Sequence, residues 1–115
     1  MRNLTGVASG LQWSVVEIRK TEKYAKWIDG LRDSRARMRI LARVERLRVG
    51  NPGDVKPVGA GVSEMRVDYG PGYRVYFAKR GDVLIILLAG GDKRSQAEDI
   101  KTALELASKL KEIEK

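Results

Sequence analysis

Residues 62–89 read VSEMRVDYGPGYRVYFAKRGDVLIILLA, and this stretch decides the fold. Its first part alternates: Met65, Val67 and Tyr69 fall on one side of an extended chain, and Glu64, Arg66 and Asp68 on the other. That period of two belongs to a strand with one buried face. Gly70-Pro71-Gly72 marks a turn. Beyond it Tyr73, Val75 and Phe77 share a face opposite Arg74 and Tyr76, and Arg80-Gly81 marks a second turn. Val83 to Leu88 is apolar without interruption, as in a central strand covered on both faces. Three strands joined by short turns make an antiparallel meander.

Working outward, Trp13 to Arg19 gathers Trp, Val, Val and Ile, a strand signal. Thr21 is placed to cap a helix over 22–31, with Glu22 in its positive first turn and Tyr24, Trp27, Ile28 and Leu31 at helical spacing. Asp33 or Ser34 starts a second helix that runs to about Arg48 and is stopped by Gly50, with Met38, Leu41 (with Ile40), Val44 and Leu47 as its apolar stripe. Gly50 to Gly61 carries Gly, Asn, Pro and Asp and reads as a loop. After Gly90-Gly91-Asp92 a last helix runs from Lys93 or Ser95 to Ile113, with Ile100, Ala103, Leu104, Ala107 and Leu110 facing inward. The expected fold is α+β: two N-terminal helices and a C-terminal helix packed on a face of a mainly antiparallel sheet of about four strands. Residues 1–12 are expected to form a loose tail and residues 13–115 a single domain.

Composition limits the chemistry. Of 115 residues, 23 are Lys or Arg and 15 are Asp or Glu, a formal charge of +8, with neither His nor Cys. Thiolate catalysis, a disulfide framework, structural zinc and a Ser-His-Asp triad all lack their atoms, so no metal and no cofactor is expected. A charge of this size and sign suits a polyanion, an acidic protein or an anionic surface. The apolar run Val83–Ala89 is far short of the ~20 residues of a membrane span. Met1 to Gln12 shows no apolar core of the signal-peptide kind, so a cytoplasmic location without a membrane partner is expected.

The positive charge gathers in three places. Between Arg32 and Arg48 stand seven arginines, opposed only by Asp33 and Glu45. Arginine forks grip phosphate or carboxylate in bidentate fashion, so Arg35, Arg39, Arg43 and Arg46 are candidates for a partner-binding face; the alternative is a solvated helix surface. With Gly70-Pro71-Gly72 closing the hairpin, Asp68 faces Arg74 and Arg66 faces Tyr76, so Arg66 and Arg74 become diagonal neighbours within reach of one phosphate. The alternative is an ordinary Asp68–Arg74 surface ion pair. Third, Gly90-Gly91-Asp92-Lys93-Arg94 offers a close backbone approach beside a helix N-terminus. Its plainer reading is a strand-to-helix loop capped by Asp92, or by Ser95 with Glu98.

The run Asn51-Pro52-Gly53-Asp54-Val55-Lys56-Pro57-Val58-Gly59-Ala60-Gly61-Val62-Ser63-Glu64-Met65-Arg66 continues into Tyr69-Gly70-Pro71-Gly72-Tyr73-Arg74-Val75-Tyr76-Phe77. The strand Leu84–Ala89 leads into Gly90-Gly91-Asp92-Lys93, then Gln96 and Asp99-Ile100. Across about residues 13–110 this pattern resembles the addiction-module killer proteins, a HigB-like branch of the RelE/ParE toxin superfamily. The resemblance implies a RelE/ParE-like fold, metal-independent cleavage of mRNA on the ribosome, and a helix-turn-helix antitoxin as partner. It places Arg74 at the catalytic arginine of the Gly-Tyr-Arg strand, Arg66 near a basic position of the preceding strand, and Lys93 or Arg94 near the arginine after the last strand. Glu64 stands where the RelE type has a further lysine. Asp99 or Ile100 stands where that type has a tyrosine, and the histidines of some HigB toxins are absent. The expected catalytic set is Arg66, Arg74, Lys93 and Asp92, with Lys56, Tyr76 and Arg94 contacting RNA. Asp92, Glu64 or a lysine of depressed pKa is left as proton acceptor. The alternatives are a ParE-like inhibitor of DNA gyrase without nuclease activity, and a non-catalytic nucleic-acid-binding module.

Overall fold

The computed structural model describes residues 16–114; the expected tail over 1–12 and the expected strand start at Trp13 lie outside them. The order is β1 (Glu17–Lys20), α1 (Glu22–Asp29), α2 (Ser34–Arg48), β2 (Val55–Gly59), β3 (Val62–Val67), β4 (Tyr73–Arg80), β5 (Leu84–Gly91), a 3₁₀ turn (Lys93–Ser95) and α3 (Gln96–Glu114). The strands form one sheet in the order β1-β5-β4-β3-β2. β1 runs parallel to β5, and every other pair is antiparallel. The α+β class expected from the sequence is the class observed.

Four details differ from expectation. The sheet gains a fifth strand, because Val55–Gly59 pairs with β3 instead of looping. Pro57 obscured it, and an edge strand tolerates proline because one row of its N–H groups bonds nothing. The turn into β3 carries positive φ at Ala60 (51°) and Gly61 (78°), the backbone that a two-residue hairpin requires. Second, the β3–β4 turn is longer than Gly70-Pro71-Gly72. Gly72 N–H donates to Tyr69 O at 3.1 Å, which takes Tyr69 out of the strand, and the last pair is Val67 with Tyr73. Arg66 therefore faces Arg74, and Glu64 faces Tyr76. The two pairings differ by an even step, so every side chain keeps its expected face.

Third, the helices cover both faces of the sheet. Tyr24 and Ile28 of α1, Ile40 and Leu47 of α2, and Met65, Val67, Val75, Phe77, Ile85 and Leu87 make one core. Ala103 and Ala107 of α3 pack with Val62, Tyr76, Ala78, Ile86, Leu88 and Ala89 on the other. β5 serves both, as its unbroken apolar run requires, and Leu88 forms a bulge between the pairs Tyr76–Ala89 and Phe77–Leu87. Fourth, α2 keeps Ile40, Val44 and Leu47 of the expected stripe against the core, adds Ala36 and turns Met38 and Leu41 outward. Ala36, Ile40 and Leu47 are buried, whereas Met38 is 68% exposed and Leu41 46%.

Local chemistry sets the helix boundaries. Thr21 Oγ1 accepts from Tyr24 N–H at 3.1 Å and donates to Leu88 O at 2.7 Å, which fastens the start of α1 to β5. α1 ends at Asp29, two residues before the expected boundary, with Gly30 as its C-cap. Leu31 O receives Arg37 Nη1 at 3.0 Å instead of continuing the helix. Asp33 caps α2 through Arg35 and Ala36 N–H. Among the described residues no helix is long and apolar enough to cross a membrane.

Candidate active site

Alternation puts Glu64 and Arg66 of β3 on the α3 side of the sheet, and Arg74 and Tyr76 of β4 beside them. Glu64 is 0% exposed and Arg74 9%. A carboxylate buried this deeply must be met by donors. Glu64 Oε2 accepts from Tyr76 OH at 3.1 Å and from Gln96 Nε2 at 2.8 Å, and Arg74 Nε lies 3.5 Å away. Arg66 Nε stands 3.9 Å from Glu64 Oε1 and 3.7 Å from Asp54 Oδ2. Burial, then the charge and hydrogen bond of Glu64, raise the Tyr76 hydroxyl well above the ordinary tyrosine range. Glu64 thus acts as a hub joining two strands to the first turn of α3.

The arrangement leaves capacity unused. Glu64 Oε1, Arg66 Nε and Arg74 Nε are buried atoms without a hydrogen-bond partner. Above them opens a cleft of about 240 Å³ lined by Asp54, Arg66, Val67, Asp68, Gly72, Tyr73 and Arg74. Two guanidinium groups converge on this cleft over a single buried carboxylate, a geometry suited to a phosphate in the mouth of the cleft. The expected Asp68–Arg74 pair does not form, because the longer turn carries Asp68 beyond the last strand pair.

The other candidates fall around this centre. Lys93 follows β5, and its Cβ lies 3.7 Å from where a Cβ on Gly72 would sit, as does Arg74 Nη1. Lys56, exposed on β2, faces Glu64 across the β2–β3 pair. Asp92 is the cap of the 3₁₀ turn: its Oδ1 accepts from Arg94 N–H at 2.9 Å and its Oδ2 from Arg94 Nη2 at 3.1 Å. The Arg94 side-chain bond holds the Asp92 carboxyl below the ordinary range. Arg94 is otherwise exposed.

Three expectations are corrected by the packing. Tyr76 is 0% exposed, so its ring presents no face on which a base can stack, and its hydroxyl is committed to Glu64. Gly90 and Gly91 receive side chains of this chain instead of a ligand: a Cβ on Gly90 would overlap the Trp27 ring on one face, and one on Gly91 the Asp99 carboxylate on the other. Arg43 is turned inward, with Nη1 donating to Arg66 O at 2.6 Å and Nη2 to Pro52 O at 3.0 Å. It bolts α2 to β3 and is not offered to a partner. Arg35, Arg39 and Arg46 remain exposed on α2, and Arg39 lies 4.7 Å above the Tyr69 ring.

Gln96 was missed as a member of the site. Its only sequence signal is its place in the first turn after the Gly-Gly-Asp-Lys segment, and its contact with Glu64 spans 32 residues. Asp54 was missed because its loop was expected to pair with nothing. Among the described residues no group of three or more acidic side chains is placed to hold a metal ion.

Comparison with known proteins identifies the family. Residues 26–112 match the family model of phage-derived Gp49-like proteins. An uncharacterized protein of Haemophilus influenzae is 46% identical over 95 residues, covering 83% of this chain and 96% of the relative. The family match includes α2, the paired arginines of β3 and β4, and the Gly-Gly-Asp-Lys turn. With an α+β sheet covered on both faces and an arginine-lined cleft over β3 and β4, the chain belongs to the Gp49-like phage-derived family, a toxin-type family of toxin–antitoxin systems related to RelE and ParE.

Proposed function

We propose that the protein is the toxin of a type II toxin–antitoxin pair of HigB-like kind, and that it cleaves mRNA on the ribosome in the cytoplasm without a bound metal. The observation that carries this reading is the cross-strand pair Arg66–Arg74, whose guanidinium groups meet at one cleft over Glu64. RNA cleavage requires the 2′-oxygen to attack the adjacent phosphorus while the bond from phosphorus to the 5′-oxygen breaks. Negative charge grows on the phosphate oxygens and the leaving oxygen. Arg66 and Arg74, with Lys93 at the rim, supply preorganised positive charge to those atoms, the term that most often dominates catalysis. Lys56 and Arg94 extend the positive surface for the flanking phosphates.

The proton of the 2′-hydroxyl needs an acceptor. Asp92 is tied to its cap, whereas Glu64 retains an oxygen with no hydrogen-bond donor beneath Arg66. In this reading Glu64 takes the proton as Arg66 turns to the phosphate, and the leaving 5′-oxygen is protonated from the basic rim. The neutralising partner is a helix-turn-helix antitoxin.

Induced expression followed by transcript-end mapping tests the proposal. New mRNA ends are expected with the parent chain, and Arg74→Ala is expected to lower their yield by about 10²-fold or more with unchanged circular dichroism. Growth arrest without new ends rejects the nuclease reading. A second reading, a gyrase inhibitor without hydrolysis, is favoured by the absence of histidine and by Asp99-Ile100 standing where the RelE type has a tyrosine; loss of DNA supercoiling without new transcript ends would select it.

A further inference from the structure

The outward stripe of α2 has no role in the cleft. Arg35, Met38, Arg39, Ala42 and Arg46 follow one another at spacings of three and four residues and so share one side of the helix. From Arg35 to Arg46, eleven helical rises, the stripe is roughly 16 Å long. Met38 is 68% exposed, the large apolar side chain of the set. A shallow depression lined by Ser34, Arg35, Met38, Arg39 and Ala42 runs into a second one that continues past Arg46 to Val67 and Asp68, at the edge of the cleft. The stripe itself contains three arginines and no acid. The other α2 arginines are occupied: Arg37 on Leu31 O, Arg43 on Arg66 O and Pro52 O, and Arg48 on Glu45.

We propose that this stripe is the docking surface for an acidic amphipathic helix of a protein partner, with apolar side chains seated on Met38 and Ala42 and carboxylates on Arg35, Arg39 and Arg46. Charge complementarity selects an anionic occupant. The apolar centre selects protein over nucleic acid, because a phosphate backbone gains nothing from an exposed methionine, whereas Met and Arg are both enriched where protein surfaces meet. Ala42 lets a helix backbone approach closely, and the length matches about three turns of a partner helix, the helix-in-groove mode of recognition. Arg39 is partly ordered beforehand by its stacking on Tyr69. Because the depressions lead to Asp68 and the rim of the cleft, a partner anchored on α2 has a continuous path to cover Arg66 and Arg74. That the partner is an antitoxin rests on the toxin reading above; the surface and its occupant's chemistry do not.

The test is a fluorescence anisotropy titration of the full chain with three labelled probes. One is an 18-residue helical peptide with Leu at helical spacing and Glu elsewhere; the second is a scrambled peptide of the same composition; the third is a 20-nucleotide single-stranded RNA. The amphipathic peptide is expected to bind at least tenfold tighter than the scrambled one. Met38→Asp is expected to weaken it tenfold or more, and Arg35→Glu with Arg39→Glu more still, with RNA binding changed less than twofold by Met38→Asp. Equal binding of both peptides, or no effect of Met38→Asp in a chain of unchanged circular dichroism, overturns the proposal. So does a larger effect of the α2 variants on RNA than on peptide, which would make the stripe a nucleic-acid surface. Peptide binding is read without any cleavage, so its failure leaves the nuclease reading standing, and the failure of Arg74→Ala to remove transcript ends leaves the docking surface standing.

Discussion

The Glu64 carboxyl group is fully buried, and its neighbours explain how it can be. Tyr76, Gln96, Arg74 and Arg66 approach its two oxygens from three elements. Removing one donor leaves the carboxylate short of a bond that is worth about 1.5–3 kcal/mol when one partner is charged. Tyr76→Phe is therefore expected to destabilise the protein by about that amount in urea denaturation while leaving the shape of the core intact. Tyr24 makes the opposite case. Its hydroxyl is buried without a partner, and burial, then the charge of Asp29, pushes it up to about 12. A raised folded-state value means that the stability linked to this group is complete below the ordinary tyrosine value of about 10 and drains away as pH rises from there towards 12. Tyr24→Phe is expected to flatten the loss of melting temperature over that range and to cost little at pH 7, since it removes an orphaned polar atom.

At the scale of elements, the two glycines that close β5 act as sockets. Trp27 of α1 sits against Gly90, and Asp99 of α3 sits against Gly91, so helices on opposite faces approach the same dipeptide. Trp27 also stacks near Tyr24 and Tyr73, with ring centroids 5.8 and 6.4 Å away. Gly90→Ala is expected to lower stability by about 1–3 kcal/mol, the range for overpacking a closed core, measured by chemical denaturation. α2 shows how an apolar pattern can mislead. Met38, Leu41 with Ile40, Val44 and Leu47 are spaced as a buried stripe, yet the helix turns Ala36, Ile40, Val44 and Leu47 to the core and leaves Met38 and Leu41 outside. The inward bond of Arg43 to Arg66 O helps to set that rotation, and no periodicity of apolar residues contains it.

For the whole molecule, a charge of +8 becomes meaningful through its distribution. Arg66 and Arg74 line one cleft, Lys93 stands beside Gly72 at its rim, Lys56 and Arg94 are exposed on the neighbouring strand and turn, and three exposed arginines form a stripe along α2. If these five cations all meet phosphates, single-stranded RNA affinity should fall about a hundredfold between 50 and 200 mM salt, following a slope of roughly −0.7 per neutralised phosphate. The double variant Arg66→Ala, Arg74→Ala should make that slope shallower by about 1.4; an unchanged slope would place the RNA elsewhere. Such measurements separate the cleft from the α2 stripe, which lies on a helix of the opposite layer.

The α+β class, the three-strand meander, the placing of β5 inside the sheet with both faces covered and the inward stripe of α3 were all readable in the sequence. Each is a local pattern of period two or 3.6 ended by a glycine or a cap, and such patterns survive without knowledge of their neighbours. The face shared by Glu64, Arg66, Arg74 and Tyr76 was readable for the same reason: parity along a strand is indifferent to an even slip in register. What the tertiary structure alone decided was pairing across distance. It set Arg66 directly against Arg74, buried Tyr76 on Glu64, brought in Gln96 from 32 residues away, made an edge strand of Val55–Gly59 and turned Arg43 inward. Each of these depends on which group satisfies a buried charge or an open backbone hydrogen bond, and that partner is chosen in space, not along the chain.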